Sequence, residues 1–152
     1  MKSILIASDH GGFNLKEDLK SYLSQKKIRV KDLGTYSLES CDYPEFAYNL
    51  AKLISDKKYK QGILICKSGI GNSIVANRLP GVRAALCYNV QAAELSRLHN
   101  DSNILVLGSS FVAPKKAKEI LDIWMKTEFE GGRHKRRLNK IKEIEKNIRS
   151  RK

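Results

Sequence analysis

Long apolar runs are missing from this 152-residue chain. The longest span five or six residues, far short of the roughly 20 that a membrane helix needs. The amino-terminal run in MKSILIASDHGG is broken by Asp9 and His10, which argues against a secretory signal and for the cytoplasm. Cysteine is scarce and unpatterned: Cys41, Cys66 and Cys87 are odd in number and form no CxxC pair, which speaks against a disulfide framework or a zinc site. The three histidines, His10, His99 and His134, are as widely scattered, so no metal is expected. Acidic residues are few, 16 against 29 Lys and Arg, for a net charge of +13. The excess is local: Arg133 to Lys152 carries ten basic residues and two glutamates. No aromatic residues interleave this tail, which leaves nucleic-acid binding a remote alternative.

What remains is an ordinary globular composition, 41% hydrophobic and 30% charged, large enough for one domain with its own core. Short apolar runs alternate with helical patterns. Ile4-Leu5-Ile6-Ala7 reads as a first strand, and Leu15, Leu19, Tyr22 and Leu23 as one face of a helix. Ile28 and Val30 suggest a second strand, and Pro44 opens a helix carrying Phe46, Leu50, Leu53 and Ile54. Further strands are expected at 62–66, 82–87 and 104–107, with helices at 90–98, about 114–127 and 138–148. This predicts a three-layer α/β/α, Rossmann-like fold around an open, parallel, five-stranded sheet. The final helix has only a narrow apolar stripe (Leu138, Ile141, Ile144, Ile148), which points to packing against a partner subunit.

In such folds ligands bind beyond the carboxyl ends of the strands. That singles out Asp9-His10, the loop from Cys66 to Gly71, and Ser109-Ser110. Cys66-Lys67-Ser68-Gly69-Ile70-Gly71-Asn72 lacks the GxxxxGK[ST] of a nucleotide loop and the third glycine of a dinucleotide fingerprint. Alone, its glycine pair fits a tight turn as well as an anion site. Cys66 beside Lys67 and a helix amino terminus suggests a thiolate acting as base or nucleophile, with loop amides for an oxyanion. Asp9-His10 and His99-Asn100 also fit plain turn and helix-end roles. The basic stretch Arg133 to Arg137 suits either a phosphate or a solvated turn.

Together, several segments resemble ribose-5-phosphate isomerase type B, of the sugar-phosphate isomerase family that includes galactose-6-phosphate isomerase. They are SDHGGF (8–13), LGT (33–35), DYP (42–44), ICKSGIG (65–71), ANR (76–78), GVRA (81–84), SRLHNDSN (96–103) and EGGRH (130–134). The resemblance spans nearly the whole chain, read as one domain, 1–152, with 133–152 a basic phosphate-binding turn and helix. It implies aldose–ketose isomerisation of ribose 5-phosphate and ribulose 5-phosphate, in the pentose phosphate pathway, with no metal or organic cofactor. A six-carbon sugar phosphate, of allose or galactose, is the alternative substrate. By position, Cys66 would be the proton-transferring base and His99 would assist ring opening, with Asn100 beside it. Lys67, Ser68, Gly69, Ile70 and Gly71 would hold the enediolate. Asp9 and His10 would bind hydroxyls or phosphate, Tyr43 would line the pocket, and Arg133 and Arg137 would grip the phosphate. The resemblance further implies a homodimer, or a dimer of dimers, with shared sites. Two positions depart from the family pattern. Lys67 stands where glycine is common and Ser110 where a phosphate-binding arginine is common, with Lys115, Lys116 or Arg136 as candidate compensating cations.

Overall fold

The computed structural model describes residues 3–151. Five strands, β1 (Ile4–Ser8), β2 (Val30–Asp32), β3 (Gly62–Cys66), β4 (Ala84–Leu86) and β5 (Ile104–Gly108), form one sheet in the order β2-β1-β3-β5-β4. Every pairing is parallel. The helices are α1 (Phe13–Gln25), α2 (Tyr43–Ser55), α3 (Ile70–Ala76), α4 (Val90–Asn100), α5 (Pro114–Lys126) and α6 (Arg133–Arg149).

The three central strands are buried along their whole length, as their uninterrupted apolar sequences require. Their side chains alternate between two cores. Ile4, Ile6, Ile63, Ile65, Leu105 and Leu107 meet α1, α4 and α5, including the buried Trp124. Leu5, Ala7, Leu64, Ile104 and Val106 meet α2 and α3 through Ala47, Leu50, Ile54 and Ala76. A helix layer on each face follows from this period of two.

Pro44 stands in the first turn of α2, and α4 ends at Asp101 in a left-handed conformation (φ 46°). The fourth strand is shorter than the 82–87 expected. The last helix starts at Arg133, not near 138, so the expected basic turn is its first turn. Gly131 and Gly132, both at positive φ, supply the break before it. On α6 only His134 is buried, while Ile141, Ile144 and Ile148 are exposed.

The chain leaves β1 toward β2 on one side and β3 on the other. Strand order reverses there, and a cleft opens between the carboxyl ends of β1 and β3. Asp9 follows the first of these strands and Cys66 ends the second.

Candidate active site

Asp9, Tyr43, Cys66, Lys67, Ser68 and Gly71 line a cavity of about 400 Å³ at this cleft, with Ile70 and Ile74 on its apolar side. Larger hollows lie elsewhere, including one of about 750 Å³ beside Tyr59, Arg83 and Arg97, but Cys66 lines none of them. Asp9 is buried, and its Oδ1 accepts the Gly12 amide proton at 3.1 Å, closing the turn into α1. Behind it, Ser8 exchanges main-chain hydrogen bonds of 2.7 Å with Gly34 and Thr35. That segment is in turn held by Asp32, which accepts from the Gly34 amide and pairs with the fully buried Lys16. Tyr43 opens α2 and lays its ring so close to Gly71 that a β-carbon there would overlap it.

Cys66 is almost completely buried, and the Gly69 amide donates to its Sγ at 3.2 Å. Gly69 turns the loop at φ +83°, a conformation natural to glycine. Burial pushes the Cys66 thiol up, and the amides of Asn72, Gly69 and Ser68 only partly pull it back, while Asp9 adds to the rise. This corrects the expectation of a thiolate favoured by its surroundings: Lys67 is exposed, and burial outweighs any pull it exerts. The free amide cradle also needs revision. The Gly69 amide is engaged by the sulfur and the Ile70 amide by Ser68 Oγ at 3.1 Å.

His10 is partly buried, and its Nδ1 accepts the Cys41 amide proton at 3.2 Å. The Cys41 sulfur lies 3.9 Å from the same nitrogen.

The remaining expected residues gather at the other end of the sheet. His99 and Asn100 close α4, whose chain then enters β5 at its amino end. Asn103, next to that end, accepts from the Gly62 amide at the start of β3. Cys66 is four residues further along β3, so the two groups are separated by about 13 Å of strand or more. The His99 and His134 rings stack with centroids 4.1 Å apart and planes within 13°. Glu130 Oε2 lies 3.9 Å from the Nε2 of each, positioned by its own amide donating to the Leu98 carbonyl at 3.1 Å. Burial lowers the His134 pKa, and the charges of His99, Arg133 and Arg137 lower it further. Those arginines therefore stand in the same cluster.

Two histidines and a glutamate are metal-type ligands, and their donor atoms lie within 4.8 Å of one another. Imidazole lone pairs lie in the ring plane, however, and two nearly parallel planes do not share a point for one ion. The stack fits a metal badly.

Sequence reading missed several residues. Asn72, in the first turn of α3, is buried with neither side-chain amide atom paired among the described residues, and Ser8 Oγ is likewise unpaired among them. Tyr88 donates to the Ser68 carbonyl at 2.9 Å and steadies the loop. His134 gave no helical signal toward Glu130, because the Gly131-Gly132 break lies between them and α6 starts only at Arg133.

The profile of the ribose/galactose isomerase family matches residues 4–141. This chain belongs to that family. It is 43% identical to ribose-5-phosphate isomerase B of Escherichia coli strain K12, over 95% of this chain and 97% of that one. The ribose-5-phosphate isomerase B structure from Clostridium thermocellum superposes with a TM-score of 0.94 at 47% identity, covering 97% of this chain and 99% of that one. The ribose-5-phosphate isomerase B of Mycoplasma genitalium, solved with bound ribulose-5-phosphate, gives 0.91 at 42% identity, over 95% and 96% of the two chains. The five-stranded parallel fold is thus the family's fold. No helix of the described residues is long and apolar enough to cross a membrane.

Proposed function

We propose that the protein interconverts ribose 5-phosphate and ribulose 5-phosphate. The observation that carries this reading is Cys66, a buried thiol at the strand-order switch, in a cavity with Asp9 and Tyr43. The related isomerase solved with ribulose-5-phosphate supports the substrate.

In the reaction Cys66, as thiolate, removes the proton from C2 of the open-chain aldose, and electrons move toward the carbonyl oxygen to give an enediolate. The sulfur returns the proton to C1 while the O2 proton passes to the O1 oxyanion, leaving the ketose with its carbonyl at C2. A raised thiol pKa makes the thiolate a stronger base once formed, at the cost of a smaller ionised fraction at neutral pH. Main-chain amides around Ser68 to Gly71 stabilise the oxygen charge when the substrate displaces their present partners. Asp9, His10 and Tyr43 orient the sugar.

His99 opens the sugar ring by proton transfer, and Arg133 and Arg137 hold the phosphate. Their distance from Cys66 within one chain supports a site completed by a second subunit, with the exposed Ile141, Ile144 and Ile148 stripe of α6 at the boundary. The nearest test is a ribose 5-phosphate isomerase assay, with allose and galactose 6-phosphates alongside, on the wild type and Cys66→Ala. Turnover should fall by about 10²–10⁴-fold in the variant, with its circular dichroism unchanged. Near-normal turnover in folded Cys66→Ala protein would sink the mechanism.

A further inference from the structure

Among the residues lining the Cys66 cavity, Lys67 is the only one with a permanent positive charge. The other groups at that rim cannot replace it. Asp9 is acidic, and His10 does not line the cavity and spends its Nδ1 on the Cys41 amide. Arg133 and Arg137 stand with His134 at the opposite end of the same chain's sheet. Lys115 is exposed and Lys116 pairs with Glu119 at 2.9 Å, and neither lines the cavity.

The Lys67 backbone is fixed while its ammonium is free. Its carbonyl accepts the Ser110 amide proton at 2.9 Å, tying the end of β3 to the turn after β5. On the other side, a β-carbon built on Gly11 would lie 3.5 Å from Lys67 Cβ, so the lysine stem rises between two turns. Its side chain is exposed, and among the described residues no carboxylate pairs with it. An unpaired cation so placed keeps its charge for a ligand.

Depth decides which part of the ligand it meets. The reacting carbons must reach the sulfur of Cys66, a residue only 4% exposed where it lines the cavity. The phosphate is the far end of the same molecule and sits toward the mouth, where Lys67 emerges. We infer that the Lys67 ammonium is a phosphate-binding group of this chain's own half of the site, and sets its preference for phosphorylated sugars. The inference rests on the sugar-phosphate isomerase reading. Lys67 thus acts on substrate affinity and not on the ionisation of the neighbouring thiol.

The experiment compares wild type, Lys67→Met and Lys67→Arg in low-salt buffer, with Tm as a check on folding. It measures kcat and KM for ribose 5-phosphate, inhibition by inorganic phosphate, and phosphate protection of Cys66 against iodoacetamide. In Lys67→Met, KM and the phosphate inhibition constant should both rise about tenfold, with kcat within about twofold. The protecting phosphate concentration should rise in parallel, and Lys67→Arg should restore all three. Unchanged constants in Lys67→Met would overturn the inference. So would a loss confined to kcat with a displaced pH profile, because Lys67 would then be acting on Cys66. If the wild type does not isomerise ribose 5-phosphate, the substrate reading falls. The protection experiment then still decides for or against phosphate binding by Lys67.

Discussion

The imidazoles of His99 and His134 lie face to face, 4.1 Å between centroids, with Glu130 reaching toward both from the side. His99 is partly exposed and His134 buried, so a solvent-facing ring rests on one withdrawn from water. Burial favours the neutral form of His134. Two protonated rings at this spacing would repel, so the pair is most comfortable with at most one charge.

Acid should therefore loosen this end of the molecule. The folded-state pKa of His134 lies below its ordinary value of about 6.5. As pH falls through that value the unfolded chain takes up a proton that the native state resists. The stability from a neutral His134 is full above about pH 6.5 and lost progressively below it. Thermal melts at pH 7.5 and pH 5 should show a larger fall in Tm for wild type than for His134→Phe, which keeps a stacking ring without a titration. Equal falls would contradict this account.

Cys66 and Cys87 should separate by reactivity. Cys66 sits above an ordinary thiol, and burial pushes Cys87 further, to about 11. Iodoacetamide labelling of Cys66 should rise with pH to a midpoint above the usual value of about 8.5, while Cys87 stays unlabelled in folded protein at pH 9. Since both groups lose protons more easily when unfolded, stability should decline as pH climbs past that usual value. Peptide mapping after timed alkylation reads both.

If one site draws Cys66 from one subunit and His99 from another, two dead variants should rescue each other. Cys66→Ala and His99→Ala, denatured together and refolded, form mixed dimers in which one site carries both defects and the other none. A random mixture should recover up to about a quarter of wild-type activity, against near zero for each variant alone. No recovery, with mixed dimers verified by mass spectrometry, would place both residues in one chain's site.

Gly108 should tolerate almost nothing larger. A β-carbon there would approach the Ser68 carbonyl closer than 3.0 Å, and that atom is main chain and cannot swing aside. Gly108→Ala is expected to cost about 1–3 kcal/mol and to lower kcat by shifting the Cys66 loop. Denaturant unfolding and turnover measure the two effects.

Much of the fold was legible in the sequence. The continuous apolar run at Ile63–Ile65 announced a central parallel strand, that at Ile104–Leu107 a further strand, and Pro44 marked a helix start. Local patterns served less well where tertiary contacts decide. The stripe on α6 begins at Leu138, so the charged turn before it did not look helical, although His134 anchors it by burial. At the site, residue types pointed to Cys66 and Asp9 and the family resemblance added Tyr43; the three do share one cavity. The state of the thiol could not be read the same way. Adjacency to Lys67 suggested ionisation, while the balance is set by burial, which depends on the packing of the whole cleft.

Around Cys66 the strand ends approach so closely because Gly12 and Gly108 have no side chains: a β-carbon on either would collide with main chain at Ile65 or Ser68. The bond joining the loops at Lys67 and Ser110 likewise uses only a carbonyl and an amide, atoms that every residue except proline supplies. The frame around Cys66 thus holds through main-chain atoms, whichever side chain stands at 67 and whichever but proline stands at 110. A substitution at Lys67 changes the charge at the cavity and leaves that main-chain bond in place.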